Sequence, residues 1–159
     1  MQMKVSLRKS IEPDLEVFYH NQTDEEANFM AAFTPKNTKD KNAYLKKWNK
    51  LMTDDTVHMQ SILIDNKVVG CMVKFVMDGD SDITYAIDKE YWGKGITSEA
   101  VKQFLKIETT RPLYGRVAND NYGSQKVLEK SGFLKIGTNM YFANARGTKI
   151  EEYIYRLDN

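Results

Sequence analysis

The chain has 159 residues, which is room for one domain with a real core and little for a second. Its formal net charge is +1 with 28% charged residues, so no global field draws it to nucleic acid or an anionic membrane, and any anion site has to be local. A single cysteine, Cys71, excludes an internal disulfide framework and, inside the apolar run 68–76, reads as a buried thiol rather than a nucleophile. The opening residues carry no long apolar segment and no small-residue cleavage pattern, and no stretch elsewhere is long and apolar enough to span a bilayer. That predicts a cytoplasmic chain without signal peptide or membrane span.

Residues 3–8 alternate, with Met3, Val5 and Leu7 on one side, as a half-buried strand does. Pro13 opens a short helical run through Leu15, Phe18 and Tyr19. Thr23-Asp24-Glu25-Glu26 then reads as a capping box, with Thr23 as N-cap of a helix over 27–33 that Pro35 stops. Residues 38–52 place Tyr44, Leu45, Trp48, Leu51 and Met52 at helical spacing with lysines opposite. The period then changes. Strands over 58–64 and 68–77 flank the tight turn Asp65-Asn66-Lys67, and a second turn over 78–82 leads to a strand over 83–88. A glycine turn follows, then a helix over 97–107, a strand over 113–118, a helix over 121–131 capped by Asn121 and stopped by Gly132, and strands over 134–142 and 150–157. The N-terminal third is thus a strand followed by two or three helices; counted with two, the order is β, α, α, β, β, β, α, β, α, β, β, which is α+β (mixed α/β) around one central sheet in a single domain, 1–159.

The stretch 91–100, Tyr-Trp-Gly-Lys-Gly-Ile-Thr-Ser-Glu-Ala, carries the chemistry. Gly93 and Gly95 stand at a strand-to-helix turn, where backbone N–H groups and the helix dipole together suit phosphate oxygens. The turn matches neither the phosphate-loop pattern of nucleotide hydrolases nor the dinucleotide fingerprint, in which Ser98 would have to be glycine or alanine. Alone, it reads equally as a tight connection. One strand later comes Asn119-Asp-Asn121-Tyr-Gly-Ser124-Gln-Lys-Val-Leu-Glu-Lys-Ser-Gly132-Phe133, in which Asn121 serves as a cap and Ser124 offers a hydroxyl one turn in.

In order and spacing the two motifs resemble the acyl-CoA pyrophosphate loop and following helix of the GNAT superfamily of N-acetyltransferases. The similarity is closest to the branch that acetylates the N-terminal amines of ribosomal proteins. It is strong over residues 83–133 and extends loosely, as element order, to the whole chain.

The resemblance implies a central, mostly antiparallel sheet of about seven strands, acetyl-CoA as cosubstrate, no metal, and direct transfer to a primary amine: a protein N-terminus, a lysine or a small amine. It implies that backbone groups of Ala86, Ile87 and Asp88 pair with the pantetheine like an added strand. Amides from Trp92 through Gly93, Lys94, Gly95 and Ile96 to Thr97 hold the pyrophosphate, and Asn121 and Ser124 bind the pantetheine or thioester end. Lys94, Lys126 and Lys130 are candidates for the adenosine phosphates, against the plainer reading of solvated lysines. Sheet edges of this fold often pair, which offers a homodimer.

Two departures stand out. Glu90 opens the loop where the family often has Gln or Arg, and so is expected to point outward. Leu128 stands where many members carry the tyrosine that reprotonates the thiolate. Transfer also needs a group to take the ammonium proton. The candidates are Glu26, otherwise the capping-box partner; Asp82, otherwise a turn residue; and Tyr85. Phe29, Phe33, Tyr44 and Trp48 read as core or, less simply, as an acceptor pocket. His20 reads as a helix-end charge and His58 as a surface residue. Without a recognised acid or base, the alternative is a non-catalytic acyl-CoA-binding module, with a nucleotide-binding regulator as a further rival.

Overall fold

A computed structural model describes residues 3–159. In chain order the elements are β1 (Val5–Lys9), α1 (Asp14–Gln22), α2 (Glu25–Ala31), α3 (Lys41–Met52), β2 (His58–Ile64), β3 (Lys67–Met77), β4 (Asp80–Ile87), a single 3-10 turn (Lys89–Tyr91), α4 (Ile96–Ile107), β5 (Leu113–Ala118), α5 (Tyr122–Lys130), β6 (Leu134–Ala143) and β7 (Thr148–Leu157). The seven strands form one sheet in the order β1-β2-β3-β4-β5-β7-β6. Every neighbouring pair is antiparallel except β4 and β5, which run parallel. This is the mixed, mostly antiparallel sheet that the motifs implied.

Local chemistry explains the turns. Asp65 and Asn66 have φ of 48° and 71°, and Asp78 and Gly79 have 52° and 84°. These are two-residue hairpin loops whose left-handed residues match strand twist. The second hairpin closes at Met77 opposite Asp80, so β4 starts earlier than the expected 83. Gly70 is obligatory for another reason: a Cβ there would collide with the Ala86 carbonyl and Ile87. The sheet register shifts beside it, between Ile62 and Leu63.

At the start of α2 the expected cap is displaced by one residue. Asp24, not Thr23, accepts from the Ala27 amide, while the Thr23 hydroxyl donates to the His20 carbonyl. Both residue types suit an N-cap, and the carboxylate adds favourable charge at the helix start. Asp40 caps α3 in the same way, so α3 begins at Lys41 rather than 38. Asn121 caps α5 as expected, accepting from the Ser124 amide.

The sheet has two covered faces. On one, α4 buries Ile96, Ala100, Val101 and Phe104 against Ile83, Ile87, Leu113 and Val117, with Leu128 of α5. Complete burial of an isoleucine or phenylalanine stabilises by roughly 1.5–3 kcal/mol. On the other face, Leu15 and Phe18 of α1 pack on Met59 and Val73, with Tyr44 and Trp48 of α3 against them. Tyr44 and Trp48 therefore belong to the core. Phe29 is exposed, and Phe33 lies edge-on to Tyr141 near Ala32, Ala118 and Ala143. His58 is half-buried rather than on the surface: its Nδ1 lies 3.1 Å from Glu108 and its ring packs on Phe104. Cys71 joins the second core, and burial pushes its thiol up to about 12, in keeping with an inert role. No helix among the described residues is long and apolar enough to cross a membrane.

Candidate active site

The site starts from a mismatch between two strands. β4 and β5 are in register only at Asp82 opposite Tyr114 and Ile83 opposite Gly115, then part. Along its other edge β4 stays paired to β3 as far as Ile87. The Asp88 amide donates to the Val69 carbonyl, which fixes the alternation. Even-numbered residues of β4 direct their backbone groups to β3, and odd-numbered residues direct theirs to β5. Past the point of divergence, Tyr85 and Ile87 therefore face the gap with main-chain groups that no strand claims. This corrects the expectation at Ala86 and Asp88, whose backbone is turned towards β3. The Ile87 carbonyl accepts from the Trp92 indole Nε1 at 3.2 Å.

Where the strands part there is a cavity of about 130 Å³. Thr84, Tyr85, Gly115 and Arg116 line it from the sheet, Asn121, Ser124 and Leu128 from α5, and Ala31 from α2. It thus connects the α5 face with the α2 face. Leu128 leans into the space that Gly115 leaves free: a Cβ on Gly115 would sit 2.9 Å from a Leu128 methyl.

The glycine turn lies just beyond β4. Gly93 and Gly95 have φ of 74° and 76°, in the left-handed region that favours glycine, and a Cβ on either would meet nothing within 4 Å. Gly95 is the N-cap of α4 and provides no side-chain cap. The amides of Gly93, Lys94, Gly95, Ile96, Thr97 and Ser98 have no hydrogen-bond acceptor among the described residues. The run begins one residue later than expected, because the Trp92 amide donates to the Lys89 carbonyl at 3.1 Å. Consecutive free N–H groups at a helix start, bordering open space, fit a diphosphate. Glu90 is exposed, as expected; Lys94 is exposed too, with its Nζ 5.8 Å from the centre of the Tyr91 ring.

The remaining predicted residues divide into four groups. The Tyr85 hydroxyl lies 2.8 Å from Ser124 Oγ, and burial pushes it up to about 12, so it stays protonated. Asn121 is used at both ends of its amide: Oδ1 caps α5 and Nδ2 donates to the Met30 carbonyl at 3.3 Å. Glu26 is exposed in the first turn of α2, where Lys89 bridges Asp24 at 2.7 Å and Glu26 at 3.7 Å. That bridge ties α2 to the turn preceding the glycines.

Asp82 is 2% exposed, with Arg116 Nε 3.6 Å from its Oδ2. Arg116 Nη1 lies 3.8 Å from Glu152 Oε1 on β7. Neither Asp82 oxygen has a hydrogen-bond partner among the described residues, nor does Arg116 Nε. Burial raises both carboxyls above their ordinary values, against the pull of Arg116. Sequence reasoning passed over Glu152 and Arg116. The alternation of β7, with Ile150, Glu152 and Ile154 on one face, was the available signal for an inward-facing acid.

Residues 4–134 match the family described as Acetyltransferase (GNAT) domain. The chain belongs to the GNAT acetyltransferase family. Its chemistry is acetyl transfer from acetyl-CoA to an amine, and the free amides at Gly93–Ser98 suit that cosubstrate. The chain is 25% identical over 164 residues, covering 97% of itself and 92% of the relative, to a Bacillus licheniformis protein described as an uncharacterised N-acetyltransferase p20. In fold it resembles the ribosomal L7/L12 alpha-N-protein acetyltransferase RimL in complex with coenzyme A, with a TM-score of 0.84, 15% identity, and 99% and 98% of the two chains covered. It also resembles the spermidine N-acetyltransferase of Vibrio cholerae in complex with CoA and spermine, with a TM-score of 0.79, 17% identity, and 96% and 95% covered.

Proposed function

We propose that this chain transfers acetyl directly from acetyl-CoA to a primary amine, a protein N-terminus, a lysine or a small amine, with both substrates bound across the gap between β4 and β5. The free amides from Gly93 to Ser98 carry this reading. They take the diphosphate, while the Tyr85 and Ile87 backbone lies along the pantetheine as a strand would. The thioester end then reaches the cavity beside Ser124, and the amine enters from the α2 face, where Thr84 and Ala86 are exposed.

When the amine forms its bond to the acetyl carbon, the carbon–sulfur bond breaks and the thiolate needs a proton. Tyr85 supplies it through Ser124 Oγ, the two hydroxyls already being in contact. This offers an answer to Leu128: the donor comes from the strand rather than from α5. The amine loses its own proton to water on the open α2 face. Glu26 anchors α2 through Lys89, and Asp82 acts on the acceptor's charge. A second copy pairing along the outer edge of β6, which exposes Leu134, Ile136, Met140 and Phe142, fits the family habit.

Calorimetry with acetyl-CoA, followed by a free-thiol assay over a panel of primary amines, tests the reading. Wild type is expected to bind acetyl-CoA and to release thiol only when an amine is present. Gly95→Val is expected to lose at least about tenfold in affinity, because a side chain then occupies the amide cradle and the left-handed φ is strained. Binding without amine-dependent thiol release would leave an acyl-CoA-binding module. Absence of binding would remove the enzyme reading altogether.

A further inference from the structure

Asp82, Thr84 and Ala86 lie on one face of β4, because strand side chains alternate. Thr84 and Ala86 are exposed there, and Thr84 and Arg116 both line the cavity. Asp82 sits deeper on the same face. Across β5, Glu152 of β7 is 8% exposed and Arg116 stands between the two acids. The contacts of 3.6 Å and 3.8 Å are too long for hydrogen bonds. Buried carboxylates without hydrogen bonds are unfavourable and call for a donor. Arg116 neutralises only one of the two negative charges. Asp78 and Asp80, in the hairpin before Asp82, add to the negative field. A carboxylate or phosphate on the acceptor is therefore disfavoured. A group with several N–H donors and positive charge satisfies both acids.

We propose that Asp82 and Glu152 form a subsite for a second cationic nitrogen of the acceptor, so that the preferred substrate is a diamine-like dication. Two residues of strand separate Asp82 from Thr84 at the cavity, which places the second charge about 7 Å from the reacting amine. Arg116 fills the position in the free protein, and the acceptor's second nitrogen takes over its ion pairs with the two acids. This inference rests on the acetyl-transfer reading above.

The test compares 1,5-diaminopentane with 5-aminopentan-1-ol, which has the same chain length with a hydroxyl in place of one charge. For wild type the diamine is expected to have a kcat/KM at least about tenfold higher, a typical return for a charged contact that a hydroxyl cannot replace. In Asp82→Asn and Glu152→Gln that ratio falls towards one. Glu152→Asp, which keeps the charge, retains most of it and guards against a merely structural effect. Circular dichroism and acetyl-CoA calorimetry confirm that each variant folds. Equal kcat/KM for the two amines in wild type, or a ratio unmoved in both neutral variants, overturns the subsite while leaving acetyl transfer intact. Thiol release with neither amine, although acetyl-CoA binds, also overturns it. Failure of wild type to bind acetyl-CoA removes both readings.

Discussion

The Tyr85 hydroxyl of β4 and the Ser124 hydroxyl of α5 meet at 2.8 Å across the gap that the parallel strands leave. Tyr85 is half-buried against the core, and its hydroxyl also lies 3.4 Å from the Ser124 carbonyl. As the proposed proton donor, Tyr85 is the part of the site most open to direct challenge.

Tyr85→Phe is expected to lower kcat by roughly 100-fold, the lower end of the usual range for a general acid. The dissociation constant of acetyl-CoA should stay within about twofold, since the Tyr85 backbone is retained. Burial pushes this hydroxyl up to about 12, so its ionisation puts no downturn in the wild-type rate at any pH well below that value. Steady-state rates from pH 7 to 10 with a saturating amine check both points. A kcat unaltered by the substitution would exclude Tyr85 as the donor.

Gly115 and Leu128 make a second dependent pair. A Cβ at Gly115 would stand 2.9 Å and 3.0 Å from the two Leu128 methyls, both on a fully buried side chain. Gly115→Ala is expected to destabilise by about 1–3 kcal/mol through overpacking. Combining it with Leu128→Val should recover part of the loss, because the two changes share one space. Urea unfolding of the four proteins in the cycle measures the coupling. Strict additivity would mean that the contact is not what makes glycine necessary there.

Asp14, at the start of α1, joins three elements. It accepts from Arg8 Nη1 and Nη2 at 2.7 Å and 2.9 Å, from the Ser61 hydroxyl at 2.7 Å and from the Ile11 amide at 3.0 Å. Burial acts to raise this carboxyl, but the Arg8, Ile11 and Ser61 hydrogen bonds together outweigh it and hold the pKa below the ordinary value. Asp14→Ala strands those donors and should cost about 3 kcal/mol at pH 7. A depressed folded pKa gives stability that is complete above the ordinary carboxylate value, near 4, and is lost as pH falls through the folded one. The difference between wild type and Asp14→Ala should therefore shrink below about pH 4. Unfolding midpoints at pH 7 and pH 3 test this; a gap of constant size would rule it out.

What could be read in the chain was what local backbone chemistry dictates. Gly93 and Gly95 announce themselves because few other residues tolerate their φ, and Asn121 because a helix start wants that side chain. The start of α2 misled for an equally local reason: Thr23 and Asp24 are both good caps, and one-dimensional pattern cannot rank them. The pairings of Tyr85 with Ser124, 39 positions apart, and of Asp82 with Arg116 and Glu152 exist only once the sheet has ordered its strands. The split between cleft-facing Tyr85 and Ile87 and β3-facing Ala86 needed the register as well.

The parting of β4 from β5 has an evolutionary corollary. In the proposed mode of binding, coenzyme recognition relies on peptide groups, which side-chain substitution barely alters, whereas selectivity for the other reactant resides in replaceable side chains on the opposite surface. Such a layout lets mutation retune which metabolite or polypeptide is modified while the donor keeps its grip, so one scaffold can serve many acceptors.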